Sequence, residues 1–394
     1  MNSIGLVKDK NILLLQGPVG YFFKNLGKQF TARGATVYRI GLNAGDELFS
    51  SFHNYYAYRD TADNWNKFIF TFLKKNKIDK IFLFGDCRFY QSIAVEISDK
   101  LDIEVFVFEE GYLRPHYITL EKHGVNDYSH ISRNPEYYKN MQDITIPEAK
   151  DSKVNSIFNW GIVMAYYFTA RLFRFRYPNY VHHRSFSAAE EFFFGTRSLI
   201  RKVFYTRRDK KYLPKIKNEL DGRYFFVPLQ THNDFQILQH SEYGTIEKFI
   251  IEVLESFSNN TQDEFIIFKH HPIDRGRKNY TEFILEQSKA LGIEKRVLIV
   301  HDLHLPTLLN YAAGTITINS TVGLSSIFHD TATITLGKAI YDIDGLTNKG
   351  MCLNDFWQNY KRPNRELAMK FREYLIKTTQ LNGSFYGLMP KELI

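Results

Sequence analysis

Cysteine is almost absent: Cys87 and Cys352 are the only two in 394 residues. Two are too few for a disulfide framework, and neither lies in a CxxC or Cys/His cluster that would hold zinc. A reducing compartment is expected. The first residues, Met1 to Lys10, lack the apolar core of about 7–15 residues that marks an export signal, so a cytoplasmic location is expected. Long apolar runs are missing too. The most apolar stretch, Ile157 to Phe173, is interrupted by Asn159, Gly161 and Arg171 and falls short of the ~20 apolar residues a spanning helix needs. The loop Gly17-Pro18-Val19-Gly20 is not a G-x-G-x-x-G fingerprint, which disfavours a nicotinamide dehydrogenase. Asp46 and Asp86 are not in a D-x-D arrangement, so no divalent metal on a sugar diphosphate is indicated.

What is present describes a globular chain with room for two cores, at 44% hydrophobic and 24% charged residues. The net charge of +8 is unevenly spread: Arg171 to Lys215 holds twelve Lys/Arg against three Asp/Glu, interleaved with Phe, Tyr and His. Such a segment wants an anionic partner. One candidate is nucleic acid, whose bases stack on aromatics; no RRM, KH or zinc module accompanies the segment, which argues against it. The other is an anionic bilayer, which suits basic residues beside Trp, Phe and Tyr.

Strand and helix patterns alternate through the first third: Asn11–Leu15, a helix over Phe22 to Arg33, Thr36–Ile40, Lys80–Gly85, a helix near Tyr90–Leu101, then Glu104–Phe108. This alternation predicts an α/β fold with a parallel sheet. It pauses between about Ile131 and Leu220 and resumes with strands at Tyr224–Pro228, Phe265–Lys269, Val297–Val300, Gly314–Ile318 and Ala332–Leu336. We therefore expect a Rossmann-like domain over residues 1–135 and a helical basic and aromatic insertion over 136–222. A second Rossmann-like domain is expected over 223–360, and a C-terminal helix over 361–394 that crosses back to the first. Ligands of open α/β sheets sit at strand carboxyl ends, so chemistry is expected in the turns that follow the strands.

Several turns are distinctive. The run Phe108-Glu109-Glu110-Gly111-Tyr112-Leu113-Arg114-Pro115 is followed by Tyr117-Ile118-Thr119-Leu120-Glu121 and Gly124-Val125-Asn126. Earlier come Leu15-Gln16-Gly17-Pro18-Val19-Gly20, Asn43 with Gly45-Asp46, and Gly85-Asp86-Cys87-Arg88; later come Pro228-Leu229-Gln230 with Asp234, His271-Pro272 and Asn319-Ser320-Thr321-Val322-Gly323-Leu324. Taken singly, each has an ordinary structural explanation. Carboxylates in turns cap or pair; Gly111 supplies a positive φ; His271 caps a turn; Ser320 caps a helix. Lys269 and His270 add positive charge beside His271, or are simply solvated.

Together and in this order, these motifs resemble the KpsS/LipB family of capsular polysaccharide proteins, β-Kdo transferases, over both expected domains. The resemblance implies a GT-B-like fold, with two Rossmann-like domains facing a cleft. It implies transfer of the sugar acid Kdo from CMP-β-Kdo to a phosphatidylglycerol-type lipid, with retention, beginning the poly-Kdo linker of a capsule. Asp234 would then attack the anomeric carbon, and a glutamate of the Glu109-Glu110 pair would exchange a proton with the acceptor; Glu109 matches the Glu of the Glu-Asp-Gly motif in relatives. Gln230, His271, Pro272, Asn319, Ser320 and Thr321 would hold the donor. Gly17, Pro18, Gly20, Asn43, Asp46, Arg88 and Arg114 would meet the acceptor. No metal or other cofactor is expected, because a CMP-sugar carries one phosphate. The expected setting is the cytoplasmic face of the inner membrane, peripherally bound to anionic lipid, among other capsule transferases and the export machinery and without nucleic acid. The alternative is a non-catalytic assembly or export factor that binds the lipid-linked glycan.

Overall fold

The computed structural model describes residues 4–50, 53–142, 145–152, 156–181, 188–232, 241 and 243–393. The chain divides into two compact units: Met1–His130 with Ile144–Glu191 and Glu373–Ile394, and Ile131–Asp143 with Phe192–Arg372.

In the first unit, β1 (Asn11–Leu15), α1 (Phe22–Ala32), β2 (Thr36–Gly41), α2 (Ala44–Leu48), β3 (Tyr55–Ala57), α3 (Trp65–Lys75), β4 (Lys80–Phe84), α4 (Phe89–Lys100) and β5 (Glu104–Glu110) follow one another. Strands β1 to β5 are parallel, with β3, β2, β1, β4 and β5 adjacent in that order. Continuous apolar strands such as Ile12-Leu13-Leu14-Leu15 are what a sheet covered on both faces requires. Ile12 and Leu14 pack with Phe22, Phe23, Leu26 and Phe30 of α1. Leu13 and Leu15 pack on the opposite face with Trp65, Ile69, Phe72 and Leu73 of α3.

The expected all-parallel sheet is extended at one edge by antiparallel strands. Strand β6 (Tyr117–Lys122) returns beside β5, and β12 (Gln380–Asn382) pairs antiparallel with β6. The reason is connection length: a parallel crossover needs a dozen or more residues, and the stretch from Gly111 to His116 is far shorter.

The second unit contains α5 (Pro135–Lys139), most of α7 (Ala188–Asp209), α8 (Leu213–Asn218), β7 (Tyr224–Pro228), α9 (Ile246–Asn260) and β8 (Phe265–Lys269). It continues with α10 (Thr281–Ala290), β9 (Val297–Val300), α11 (Leu305–Asn310), β10 (Gly314–Thr317), α12 (Thr321–Phe328), β11 (Ala332–Thr335), α13 (Leu353–Asn359) and the start of α14 (Arg365–Thr378). Its five strands are all parallel, ordered β11, β10, β7, β8, β9. Phe225 and Val227 face α9 and α13, while Tyr224 and Phe226 face α8 and α11.

The aromatic and basic segment is shared between the units. Helix α6 (Ser156–Leu172) belongs to the first and α7 mostly to the second. Among the described residues, no helix is long and apolar enough to cross a membrane.

Candidate functional site

Each sheet reverses its winding at one place, and there a crevice opens outside the carboxyl ends of two strands. In the first unit the reversal lies between β1 and β4, which end at Gln16-Gly17 and Gly85-Asp86. In the second it lies between β7 and β10, which end at Leu229-Gln230 and Ile318-Asn319.

In the first unit, alternation along β5 separates the two glutamates. Glu109 has the parity of Val105 and Val107, which face the α3/α4 layer; Glu110 has the parity of Phe106 and Phe108, which face the α1 layer. Glu109 is half-buried and Glu110 is exposed. Only Glu109 is turned towards the switch-point turn. A side chain at Gly85 would stand 3.3 Å from Arg88 Nε and 3.6 Å from Glu109 Oε2, so the glycine, at φ +71°, leaves room for both. Burial pushes the Glu109 carboxyl up to about 7; the backbone N–H of Glu110 and the Arg88 charge oppose the rise, and the charges of Glu110 and Asp86 reinforce it. Asp86 is 6% exposed and accepts from Val125 N at 2.9 Å, so it braces the turn.

Gly111 is needed for a reason other than the expected positive φ. It is absent from the positive-φ residues, but a Cβ there would lie 2.0 Å from the carbonyl oxygen of Tyr117. Close approach of two backbones in the β5–β6 turn demands glycine.

Several residues expected to meet an acceptor are otherwise occupied. Asp46, 3% exposed, accepts from Leu42 N at 2.9 Å, Gln16 Nε2 at 3.2 Å and Tyr166 Oη at 3.0 Å. Asn43 caps α2 through Gly45 N at 2.8 Å and donates to Tyr166 Oη at 2.8 Å. Both side chains are enclosed in a network that ties α6 to α2, and burial raises the Asp46 carboxyl. Gly17 packs on the Phe23 ring, Pro18 is buried, and Gly20 at φ +104° lies under Ile162 of α6. Arg88 is half-buried over the Phe84 ring, and exposed Arg114 donates to the Gly111 carbonyl at 3.3 Å. The structure thus brings Arg88 to Glu109 and turns Asn43 and Asp46 inward.

In the second unit, Gln230, Asn319, Ser320 and Thr321 of the expected donor residues lie at the switch point, while His271 and Pro272 follow the neighbouring strand β8. Gln230 Nε2 donates to Asn319 Oδ1 at 3.0 Å, and Asn319 N donates to Gln230 Oε1 at 3.3 Å, joining the two strand ends. Ser320 caps α12 through Val322 N at 3.2 Å. Thr321 is the first residue of that helix, and within its first turn Gly323 N donates to the Ser320 carbonyl at 2.9 Å. His271 opens the turn Pro272–Gly276 and its Nδ1 accepts from Ile273 N at 3.2 Å, which makes Nε2 the donor nitrogen of the neutral ring. Asp234 lies outside the described residues.

His270 does not add charge. It is buried, stacks on His301 at 4.0 Å, and burial drives both imidazoles down to about 3. One arrangement escaped the sequence reading: His232, four residues after β7, is gripped by buried Asp274 of the turn after β8. No local spacing signals it, because the partners are 42 residues apart.

Two Rossmann-type units in one chain, each with polar residues at its switch point, are the composition of the GT-B class. The family described as capsule polysaccharide biosynthesis protein matches residues 79–386, and the chain belongs to that family. It is 38% identical over 382 residues to the capsule polysaccharide export protein KpsS of Escherichia coli, covering 97% of this chain and 98% of that one. It is 36% identical over 394 residues to the capsule polysaccharide modification protein LipB of Neisseria meningitidis, covering 97% and 93%. A solved structure of Thermosulfurimonas dismutans KpsC, a β-Kdo 2,7 transferase, aligns over 92% of this chain and 89% of its own at 13% identity, TM-score 0.42.

Proposed function

We propose that this capsule biosynthesis protein is a retaining glycosyltransferase that moves Kdo from CMP-β-Kdo to a phosphatidylglycerol-type lipid. The observation that carries the reading is Glu109, a carboxyl held near neutral titration beside Arg88 at a strand carboxyl edge, as a general base requires. Asp234 attacks the anomeric carbon, and the bond to phosphate breaks with its electron pair leaving on CMP. The acceptor hydroxyl then displaces Asp234 while Glu109 takes its proton, and two displacements restore the β configuration. His271, Asn319, Ser320 and Thr321 hold the single phosphate of the donor, and no metal ion takes part.

The lipid acceptor places the chain on an anionic bilayer at the cytoplasmic face of the inner membrane, working beside other capsule transferases and the export machinery. On α6 and its continuation, Trp160, Phe168, Leu172 and Phe175 are exposed, with Arg171 and Arg174 beside them. Tyr166 is buried in the Asp46 network and Arg176 pairs with Glu47 at 2.8 Å, so neither serves this surface. Each basic residue at an anionic surface contributes about 1 kcal/mol.

The test is incubation of the purified protein with CMP-Kdo, generated in place, and a phosphatidylglycerol analogue, with the product weighed by mass spectrometry. A lipid carrying one added Kdo is the expected product. Its absence, with retained binding of lipid-linked glycan, selects the assembly or export role that the name of the E. coli relative describes.

A further inference from the structure

Helix α7 is fixed to the second unit along one face. A Cβ added to Gly276 would stand 2.2 Å from the Phe194 carbonyl oxygen and 3.2 Å from Ser198 Cβ, so the turn after β8 lies directly on this helix. Arg201 Nη1 donates to the Arg275 carbonyl at 3.0 Å, and the Tyr205 ring stacks on His301 at 4.0 Å. Asp209 accepts from the backbone N–H groups of His301 and Asp302 at 2.6 and 2.9 Å. Residues 194, 198, 201, 205 and 209 recur at intervals of three or four, which is one face of a helix. Rolling the opposite face inward would break these bonds.

That outward face is apolar. Phe193, Leu199, Ile200, Val203 and Phe204 are each between 54% and 67% exposed. Phe193, Ile200 and Phe204 fall on one line of the helix, at spacings of seven and four, with Leu199 and Val203 beside it. A contiguous apolar surface of this kind marks a contact with a partner or a membrane. Its charged neighbours are all of one sign: from Phe192 to Arg208 the helix carries five Lys/Arg and no Asp or Glu. Lys202 and Arg207 are exposed, and the Arg197 guanidinium lies over the Phe193 ring at 6.0 Å from its centre.

We infer that this face of α7 is a second bilayer contact, carried by the second unit itself and seated between anionic headgroups and acyl chains. An anionic lipid surface accepts both features at once: the apolar row enters the acyl boundary, and Arg197, Lys202 and Arg207 meet lipid phosphate. A second copy of this chain is a poor occupant, since it would set the same cations against each other across the contact. The inference rests on the bilayer setting proposed for α6 and extends it to the other unit. It also fixes the kind of force involved, because transfer of the apolar row out of water is not screened by salt as surface charge is.

The probe is vesicles of equal parts phosphatidylglycerol and phosphatidylcholine, with phosphatidylcholine alone for comparison, and partitioning of the full chain is read by sedimentation across a salt series. Phe193→Ser, Ile200→Ser and Phe204→Ser combined should partition roughly 100-fold more weakly. That loss persists at about 0.5 M salt, where exposed charges are screened. Arg197→Gln, Lys202→Gln and Arg207→Gln combined should weaken binding at low salt only. Urea unfolding checks that each variant stays folded. An environment-sensitive fluorophore on Ile200→Cys, in a Cys352→Ser background, reads the same contact with the apolar row largely intact: its emission should shift to the blue when anionic vesicles are added. Unchanged partitioning of the apolar variant, or an unshifted fluorophore, overturns the α7 contact and leaves the α6 setting standing. An apolar variant that loses only self-association, measured by light scattering, assigns the face to a second copy and overturns it too. A wild type that stays in the supernatant with every vesicle overturns both the α7 contact and the bilayer setting.

Discussion

In Glu109→Gln a carboxyl is exchanged for an amide of nearly the same shape, and the consequences follow from its surroundings. Burial against the β4–α4 turn raises this group from an ordinary 4.5 to about 7. That shift corresponds to roughly 3 kcal/mol of disfavour for the charged form. As a base it must be ionised, so the wild-type rate of transfer falls as pH drops through about 7. The glutamine variant loses that limb along with roughly 10²- to 10⁴-fold in rate. Stability moves the other way. A carboxyl whose folded pKa exceeds its unfolded one favours the fold while protonated; the contribution is full below about 4.5 and lost as pH rises through about 7. Glu109→Gln is therefore more stable than the wild type above pH 7 by about 1–3 kcal/mol, after allowance for the group's partial exposure, and the difference shrinks in acid. Transfer assayed by mass over pH 5.5–8.5, with urea unfolding at the two extremes, reads both effects. Glu110→Gln, on the opposite face of the strand, keeps the rate within a few-fold. A Glu109→Gln enzyme with the wild-type pH profile, or a Glu110→Gln enzyme that loses the limb instead, refutes the argument.

Tyr166→Phe removes the hydroxyl shared by Asp46 at 3.0 Å and Asn43 at 2.8 Å; two buried groups lose a partner, and urea unfolding should show a loss of about 1–3 kcal/mol. Gly111→Ala places a carbon 2.0 Å from the Tyr117 carbonyl, so one strand of the β5–β6 turn must move; a midpoint of unfolding equal to the wild type contradicts the close approach. Transfer should persist in EDTA, and activity that vanishes in chelator and returns with magnesium overturns metal independence. Replacing Arg171 and Arg174 with Glu should release the protein from phosphatidylglycerol liposomes in a sedimentation assay at low salt while it stays folded; unchanged binding moves the docking surface elsewhere.

Strand and helix positions were readable in the sequence because their signal is local. Val297–Val300 and Tyr224–Pro228 coincide with the strands the pattern predicts, and an apolar run of four or five residues between polar turns carries that information within itself. The switch-point residues Gln230, Asn319, Gly85 and Arg88 were legible for the same reason, since they follow strands directly. What the sequence did not reveal depends on partners far along the chain. Glu109 and Glu110 are adjacent and chemically alike; the layer packed against each face of β5 separates the half-buried carboxyl of Glu109 from the exposed one of Glu110. Asp46 reads as a ligand in an open turn until Tyr166, 120 residues away, closes over it. Gln380 reaches Leu113 N across 267 residues to pin the turn after β5, and Asp274 finds His232 across 42. Periodicity sets which way a side chain points relative to its neighbours; only the packing of distant elements decides whether that direction is water, a crevice or a buried partner.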